Sequence, residues 1–287
     1  MKSSNIKYNQ TFLWLICLVA AMGGFLFGYD WVVVGGAKPF YEPYFHLTTP
    51  AQKGWGTSSA LIGCILGAIL CVILSDKLGR KRLLILSGAL FTISAIGTGL
   101  AGSFNSFNIY RIIGGLGIGI ALNLSPMYIA EMSPPHIRGK MVSVNQLLVM
   151  FGILAAQVVN WRISLIDTKM PVDATEEIIR QSWNGQIGWR WMFGAETLPA
   201  FLFFLLMIFM PESVRWLVKN GQSNKAIGIL NKVGGEKYAR NEVALIQKTI
   251  SEEETAKVHF KELLEPGLLK ILLLGIFLAF LQQWSGM

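Results

Sequence analysis

Read for polarity alone, the chain alternates between long, almost uncharged apolar blocks and short polar joints. Six blocks reach the roughly 20 residues that a helix needs to cross a hydrocarbon core. They lie at about 11–34, 55–74, 83–101, 109–130, 141–161 and 191–210, and a seventh covers 268–287. Between the sixth and the seventh the pattern changes. Residues 211–267 are rich in Lys, Glu, Asn and Gln, and "EVALIQKTI" spaces its apolar positions as an amphipathic helix does. The pattern predicts an all-α polytopic membrane protein in three parts: a six-span bundle over 1–210, a helical linker over 211–267, and a seventh helix over 268–287.

Composition agrees. Hydrophobic residues make up 53% of the chain and charged residues 15%, against about 25% charged in a soluble domain. Lys2 and Lys7 precede the first block as they would in a signal peptide, but no small-residue cleavage pattern follows and further spans do. The first block therefore reads as a retained helix. Cys17, Cys64 and Cys71 all lie inside apolar blocks and read as packing residues, not as a disulfide framework. The net charge of +8 is spread over several joints instead of forming one stripe, which argues against a nucleic-acid partner. It bears on topology instead. With the N-terminus inside, eighteen Lys and Arg fall on the inner side and six on the outer side, with Arg111 inside a span. This predicts a multi-pass protein of the cell membrane with a cytoplasmic N-terminus and a cytoplasmic linker. The linker's own ten basic residues weigh less, because long segments follow the rule poorly.

Ionisable side chains inside a span are costly, by estimates starting near ~3 kcal/mol, so each marks a functional candidate. Asp30, Arg111 and Glu196 are such residues. Span 1 runs outward while spans 4 and 6 run inward, which brings all three to a similar depth. Three readings fit that spacing. One is a proton switch, in which protonated Asp30 releases Arg111 to another partner such as Glu196. The others are a static ion pair locking spans 1 and 4, and interfacial side chains that snorkel to water.

The inner joints carry both signs of charge. "SDKLGRKR" (75–82) makes a tight turn at Gly79 with Asp76 facing cations, "AEMSPPHIRGK" (130–140) sets Glu131 and Arg138 across a proline-broken corner, and "PESVRWL" (211–217) places Glu212 and Arg215 below span 6. An ion-pair latch and ordinary interfacial anchoring both fit. In span 4, "GGLGIGIALNLSP" (114–126) offers small residues for close helix approach. No strand precedes it, so it is not a dinucleotide loop. His46, His136 and His259 fall in separate polar segments with no metal-ligand spacing and no nucleophile–base pattern, which argues against an enzyme. The inner N-terminus argues against a seven-span receptor.

Six stretches in order, "GGFLFGYD" (23–30), "DKLGRKR" (76–82), "YRIIGGLGIGIALNLSPMYIAEMSPPHIRGKMVSVNQ" (110–146), "GWRWMFGAE" (188–196), "PESVRWL" (211–217) and "QQWSG" (282–286), resemble the sugar porter family of the major facilitator superfamily. The likeness is greatest to its bacterial D-xylose/proton symporters and covers nearly the whole chain. The resemblance implies sugar transport across a bacterial inner membrane, coupled to protons, by alternating access, with no cofactor and no metal. It implies sugar contacts at Phe27, Gln146, Gln282 and Gln283, and proton coupling through Asp30, Arg111 and Glu196. Asp30 stands where facilitative members carry Asn. Arg80, Glu131, Arg138, Glu212 and Arg215 match the family's cytoplasmic charge belt. The implied major facilitator fold has twelve spans in two halves. This chain would supply the N-terminal half, the linker and the start of span 7, and its partners would be a monosaccharide, protons, the lipid bilayer and a C-terminal half.

Overall fold

The computed structural model describes residues 8–167, 175–255 and 266–284. Every element among them is helical, in the order α1 Gln10–Tyr44, α2 Pro50–Leu78, α3 Arg80–Gly99, α4 Phe104–Met132, α5 Arg138–Ser164, α6 Glu176–Gln181, a π-helical turn Asn184–Gly188, α7 Trp189–Gly194, α8 Thr197–Phe209, α9 Val214–Lys219, α10 Ser223–Gly234, α11 Glu236–Thr255 and α12 Pro266–Trp284. Six spans among the described residues are long and apolar enough to cross a membrane, the sixth being Asn184–Phe209. Their outward faces are apolar and open, as at Ile65, Val72, Leu198 and Phe209. Such a surface is untenable in water and ordinary against lipid.

Three of the spans, α1, α2 and α4, begin at a side-chain cap supplied by the joint, Asn9 accepting from the Phe12 N–H ahead of α1. Thr49 and Gln52 form a capping box ahead of α2, and Ser103 and Ser106 form one ahead of α4. Gly79 turns α2 into α3 with φ +93°, a conformation that side-chain-bearing residues rarely adopt.

The residues divide into two compact units after Asn241. In the first, α2 lies along α4, α1 along α5, and α3 against α4 and α8. Small residues permit the two closest pairings. A Cβ on Gly115 or Gly119 would collide with α2 backbone at Ala60 or Cys64, and one on Gly28 would collide with the Val149 carbonyl of α5. The glycines of the "GGLGIGI" stretch are thus packing surfaces, as their helical spacing predicts.

At one end of this unit, Tyr41, Phe107, Trp189 and Phe193 form a buried aromatic cluster where α1, α4 and α7 converge. At the other end the α2–α3 turn, the α4–α5 joint, α9, α10 and the start of the chain come together. Asn9 donates its backbone N–H to the Val233 carbonyl at 2.8 Å, and the Tyr8 ring lies 4.8 Å from His136. Of the basic segments that the charge count placed on one side, the α2–α3 turn, the α4–α5 joint and the α9–α10 segment therefore share one end of this unit. The second unit holds the remainder of α11 and the 19-residue α12.

Candidate functional site

Three charged side chains meet inside the first unit. Asp30 comes from the middle of α1, Arg111 from α4 one turn past Phe107, and Glu196 from the junction of α7 and α8; each is only 3% exposed. At that junction the Glu196 N–H bonds to the Phe193 carbonyl, three residues back instead of four, so the span tightens at the acid. Arg111 Nη1 is ion-paired with Asp30 Oδ1. The guanidinium also sits 5.4 Å from the centroid of the Phe193 ring. Glu196 is close enough to interact electrostatically with both Asp30 and Arg111. Yet Glu196 Oε1 and Arg111 Nε, both buried, have no hydrogen-bond partner among the described residues. The pair is thus satisfied on one edge of the guanidinium, with a second acid within reach of its charge. Tyr29 pins α1 to the sixth span by donating its hydroxyl to the Met192 carbonyl at 3.1 Å.

A cavity of about 300 Å³ opens onto this pair, with Asp30, Arg111, Phe27, Trp31, Thr57 and Ser58 on its wall. Phe27 and Trp31 stand one helical turn apart on α1, their ring centroids 6.1 Å apart. Trp31 is 59% exposed. The hydroxyls of Thr57 and Ser58 donate to the Lys53 and Gly54 carbonyls, leaving their oxygens free to accept. An aromatic wall beside small polar groups is the chemistry that holds a neutral polyol.

At the far end, Arg80 is buried and fully engaged. Its Nε and Nη2 donate to the two carboxylate oxygens of Glu131 at 3.1 and 3.2 Å, and its Nη1 donates to Asp76 and to the Ser75 carbonyl, both at 3.0 Å. Glu212 Oε1 accepts from the backbone N–H groups of Arg80, Lys81 and Ser213 at 3.0, 3.0 and 2.8 Å, so the acid caps α3. The Ser213 hydroxyl donates to Glu131. Asp76 closes the ring through Lys219 at 2.7 Å and through its carbonyl, which accepts from the Trp216 indole at 2.8 Å. Residues of α2, α3, α4 and α9 are thereby tied into one network.

The chain matches the family described as "Sugar (and other) transporter" over residues 16–287. It belongs to that family. Among curated relatives, the arabinose-proton symporter of Bacillus subtilis is 37% identical over 98% of this chain and 57% of its own length. The glucose transport protein of Synechocystis is 40% identical over 97% of this chain and 58% of its own. Among solved structures, the partially occluded, inward-open xylose transporter XylE of Escherichia coli superimposes with a TM-score of 0.81 at 35% identity, over 96% of this chain and 64% of that one. The fold is therefore that of the major facilitator superfamily, and the protein is a multi-pass membrane protein and not an enzyme. The chain spans little more than half the length of the curated relatives it matches.

Within this chain, the structure brings Asp30, Arg111 and Glu196 together, with Phe27 at the adjoining cavity. Gln146 lies apart from that cavity, exposed on α5. Gln282 and Gln283 lie on the last turn of α12, and their side chains fall outside the described residues. Of the belt, Arg80, Glu131 and Glu212 share the network, while Arg215 is half-buried on α9. Arg138 is exposed and forms no ion pair among the described residues. Sequence reasoning missed Trp31, Thr57, Ser58, Ser213 and Lys219. Trp31 falls one turn from Phe27, and that i,i+4 spacing beside Asp30 was a usable signal. The hydroxyls of Thr57, Ser58 and Ser213 gave none.

Proposed function

We propose that the chain supplies the N-terminal half of a proton-coupled monosaccharide carrier, with the N-terminus and the charge belt on the cytoplasmic side. The observation that carries the reading is the buried Asp30–Arg111 pair with a second acid beside it, whose Oε1 has no hydrogen-bond partner among the described residues, and an aromatic-walled cavity in front. A proton on Asp30 removes the anion that holds Arg111. A guanidinium left unpaired at this depth is strongly unfavourable, so it turns to Glu196, whose Oε1 is available. Movement of Arg111 between an acid on α1 and an acid on the sixth span changes which helices are tied together. That is how one proton biases the position of the bundle against its partner half. The sugar is held against Phe27 and by amide groups, with Gln146, Gln282 and Gln283 assigned to that role by their positions in the family pattern. Relatives include carriers named for arabinose and for glucose, so the substrate is assigned only as a pentose or hexose.

The test is uptake of labelled xylose, arabinose and glucose into proteoliposomes holding the complete carrier that this reading requires, with and without an inward proton gradient. We expect accumulation above the outside concentration only with the gradient, and equilibration without accumulation in Asp30→Asn. Concentrative uptake that persists in Asp30→Asn would remove the coupling role and leave a facilitative carrier. Because the reading needs two halves, the 287-residue chain alone is expected to give no sugar uptake.

A further inference from the structure

A second cavity, about 680 Å³, opens at the belt end between the start of α3 and the α9–α10 segment. Its wall carries four cations, Lys81, Arg82, Lys225 and Lys232. Neighbouring cations are matched: Arg80 by Glu131 and Asp76, Lys219 by Asp76, Arg240 by Glu236. Among the described residues none of the four wall cations is in an ion pair, and the one side-chain hydrogen bond they form runs from Lys225 to the Gln222 amide oxygen at 2.9 Å. The single carboxylate on the wall, Glu212, is directed at three backbone N–H groups. Four like charges around one concavity, with their only acid engaged elsewhere, create a field that attracts an anion.

The rest of the wall is not that of a site for a free ion. Ile85, one turn into α3 from the cations, and Ile229 and Trp216 opposite make much of it apolar. Lys81 and Arg82 stand in the first turn of a membrane span, and the Trp216 indole N–H is bound to the Asp76 carbonyl at the end of another. Those positions place the groove at the boundary of the bilayer, where Trp and basic side chains collect. A ligand with a phosphate at one end and hydrocarbon behind it satisfies both halves of the wall. We infer that this groove binds the headgroup of an anionic phospholipid, the phosphate among the four cations and the upper acyl chain against Ile85 and Ile229. The inference needs the bundle to lie in a bilayer and is independent of what the carrier transports.

Native mass spectrometry of the detergent-purified chain, offered equal amounts of phosphatidylglycerol and phosphatidylcholine, tests it. Phosphatidylglycerol should be retained in preference, and each cation neutralised should weaken its apparent affinity about fivefold. Lys225→Gln with Lys232→Gln is the informative pair, because both side chains are exposed on α10, outside the spans, and their loss leaves the bundle intact. Lys237→Gln with Arg240→Gln, which removes two exposed cations that do not line the groove, should retain the lipid as the unaltered chain does. Equal retention of the two lipids overturns the inference, as does undiminished preference in the Lys225/Lys232 variant. Inorganic phosphate is the third arm. If it binds the groove as tightly as phosphatidylglycerol, in a manner sensitive to the same substitutions, the apolar wall contributes nothing and the lipid assignment is wrong.

Discussion

The Asp30–Arg111 pair is buried, and removing one member of such a pair strands the other at a cost of about 3–5 kcal/mol. A static lock and a proton switch both contain this pair, but they differ over Glu196. If the pair only locks α1 to α4, Asp30→Asn destabilises the chain by the full amount, and Glu196→Gln added to it changes little. If Arg111 turns to Glu196, Asp30→Asn is tolerated at about 1 kcal/mol, whereas Asp30→Asn with Glu196→Gln loses about 3 kcal/mol or more. We expect the second pattern in unfolding of the detergent-solubilised chain; equal losses for the single and double variants would favour the lock. Trp31 carries a separate prediction at the cavity. Replacing it with Ala should weaken sugar binding to the complete carrier by about three- to tenfold, the worth of one aromatic contact, measured by calorimetry. The three charges were legible in the sequence because each interrupts an apolar run, where a charge needs a reason. Thr57 and Ser58 were not, because a hydroxyl inside a helix bonds the preceding turn as readily as it faces a ligand; Ser213, the N-cap of α9, was not because its bond to Glu131 joins residues 82 positions apart.

Among the elements, the ordering of small residues decides which helices touch. Gly115 faces Ala60 and Gly63 of α2 with no room for a side chain, whereas Gly54 and Gly139 have nothing near the place a Cβ would occupy. Gly115→Val should therefore destabilise by at least the 1–3 kcal/mol of overpacking, because the obstacle is backbone and cannot rotate away. Gly54→Ala and Gly139→Ala should leave the melting temperature unchanged or slightly raised, since Ala favours helix. A tolerated Gly115→Val would mean that α2 and α4 separate more easily than their packing indicates. Span existence was readable from apolar length; span ends were not. The apolar run of the first block stops near residue 34, but α1 continues to Tyr44 through Lys38, Pro39, Glu42 and Pro43. Its last turns are held by burial of Phe40 and Tyr41 in the aromatic cluster and by the Lys38–Glu42 and Lys53–Glu42 pairs. Hydropathy reports where the hydrocarbon ends, and tertiary packing determines where the helix does. The sixth span likewise starts at Asn184, ahead of its apolar core, by way of a π-helical turn.

For the whole molecule, the open question is whether the charge belt holds one bundle together or holds two halves against each other. Every bond resolved in the network joins residues between Ser75 and Lys219, all within the first compact unit. Arg80, Glu131, Glu212 and Asp76 thus bind a bundle to itself, which is anchoring. Arg138 differs: it stands at the same end, exposed, with no ion pair among the described residues. A cation in that position is available to a carboxylate that the bundle does not supply, and in a two-half carrier the facing half is where one would lie. The two roles separate by experiment. Arg80→Ala leaves Glu131 half-buried without its cation and should lower the stability of the 287-residue chain by about 3 kcal/mol. Arg138→Ala, at an exposed site, should leave that stability within about 0.5 kcal/mol of the original. In the complete carrier the order reverses in what it reveals. Arg138→Ala should shift the balance between the two open states, read as altered labelling of Ser58→Cys in the cavity after Cys17, Cys64 and Cys71 are replaced by Ala, whereas a pure anchor would leave that labelling unchanged. If Arg138→Ala lowers the stability of the chain and leaves the labelling alone, the belt is an internal clasp throughout and the latch lies elsewhere in the carrier.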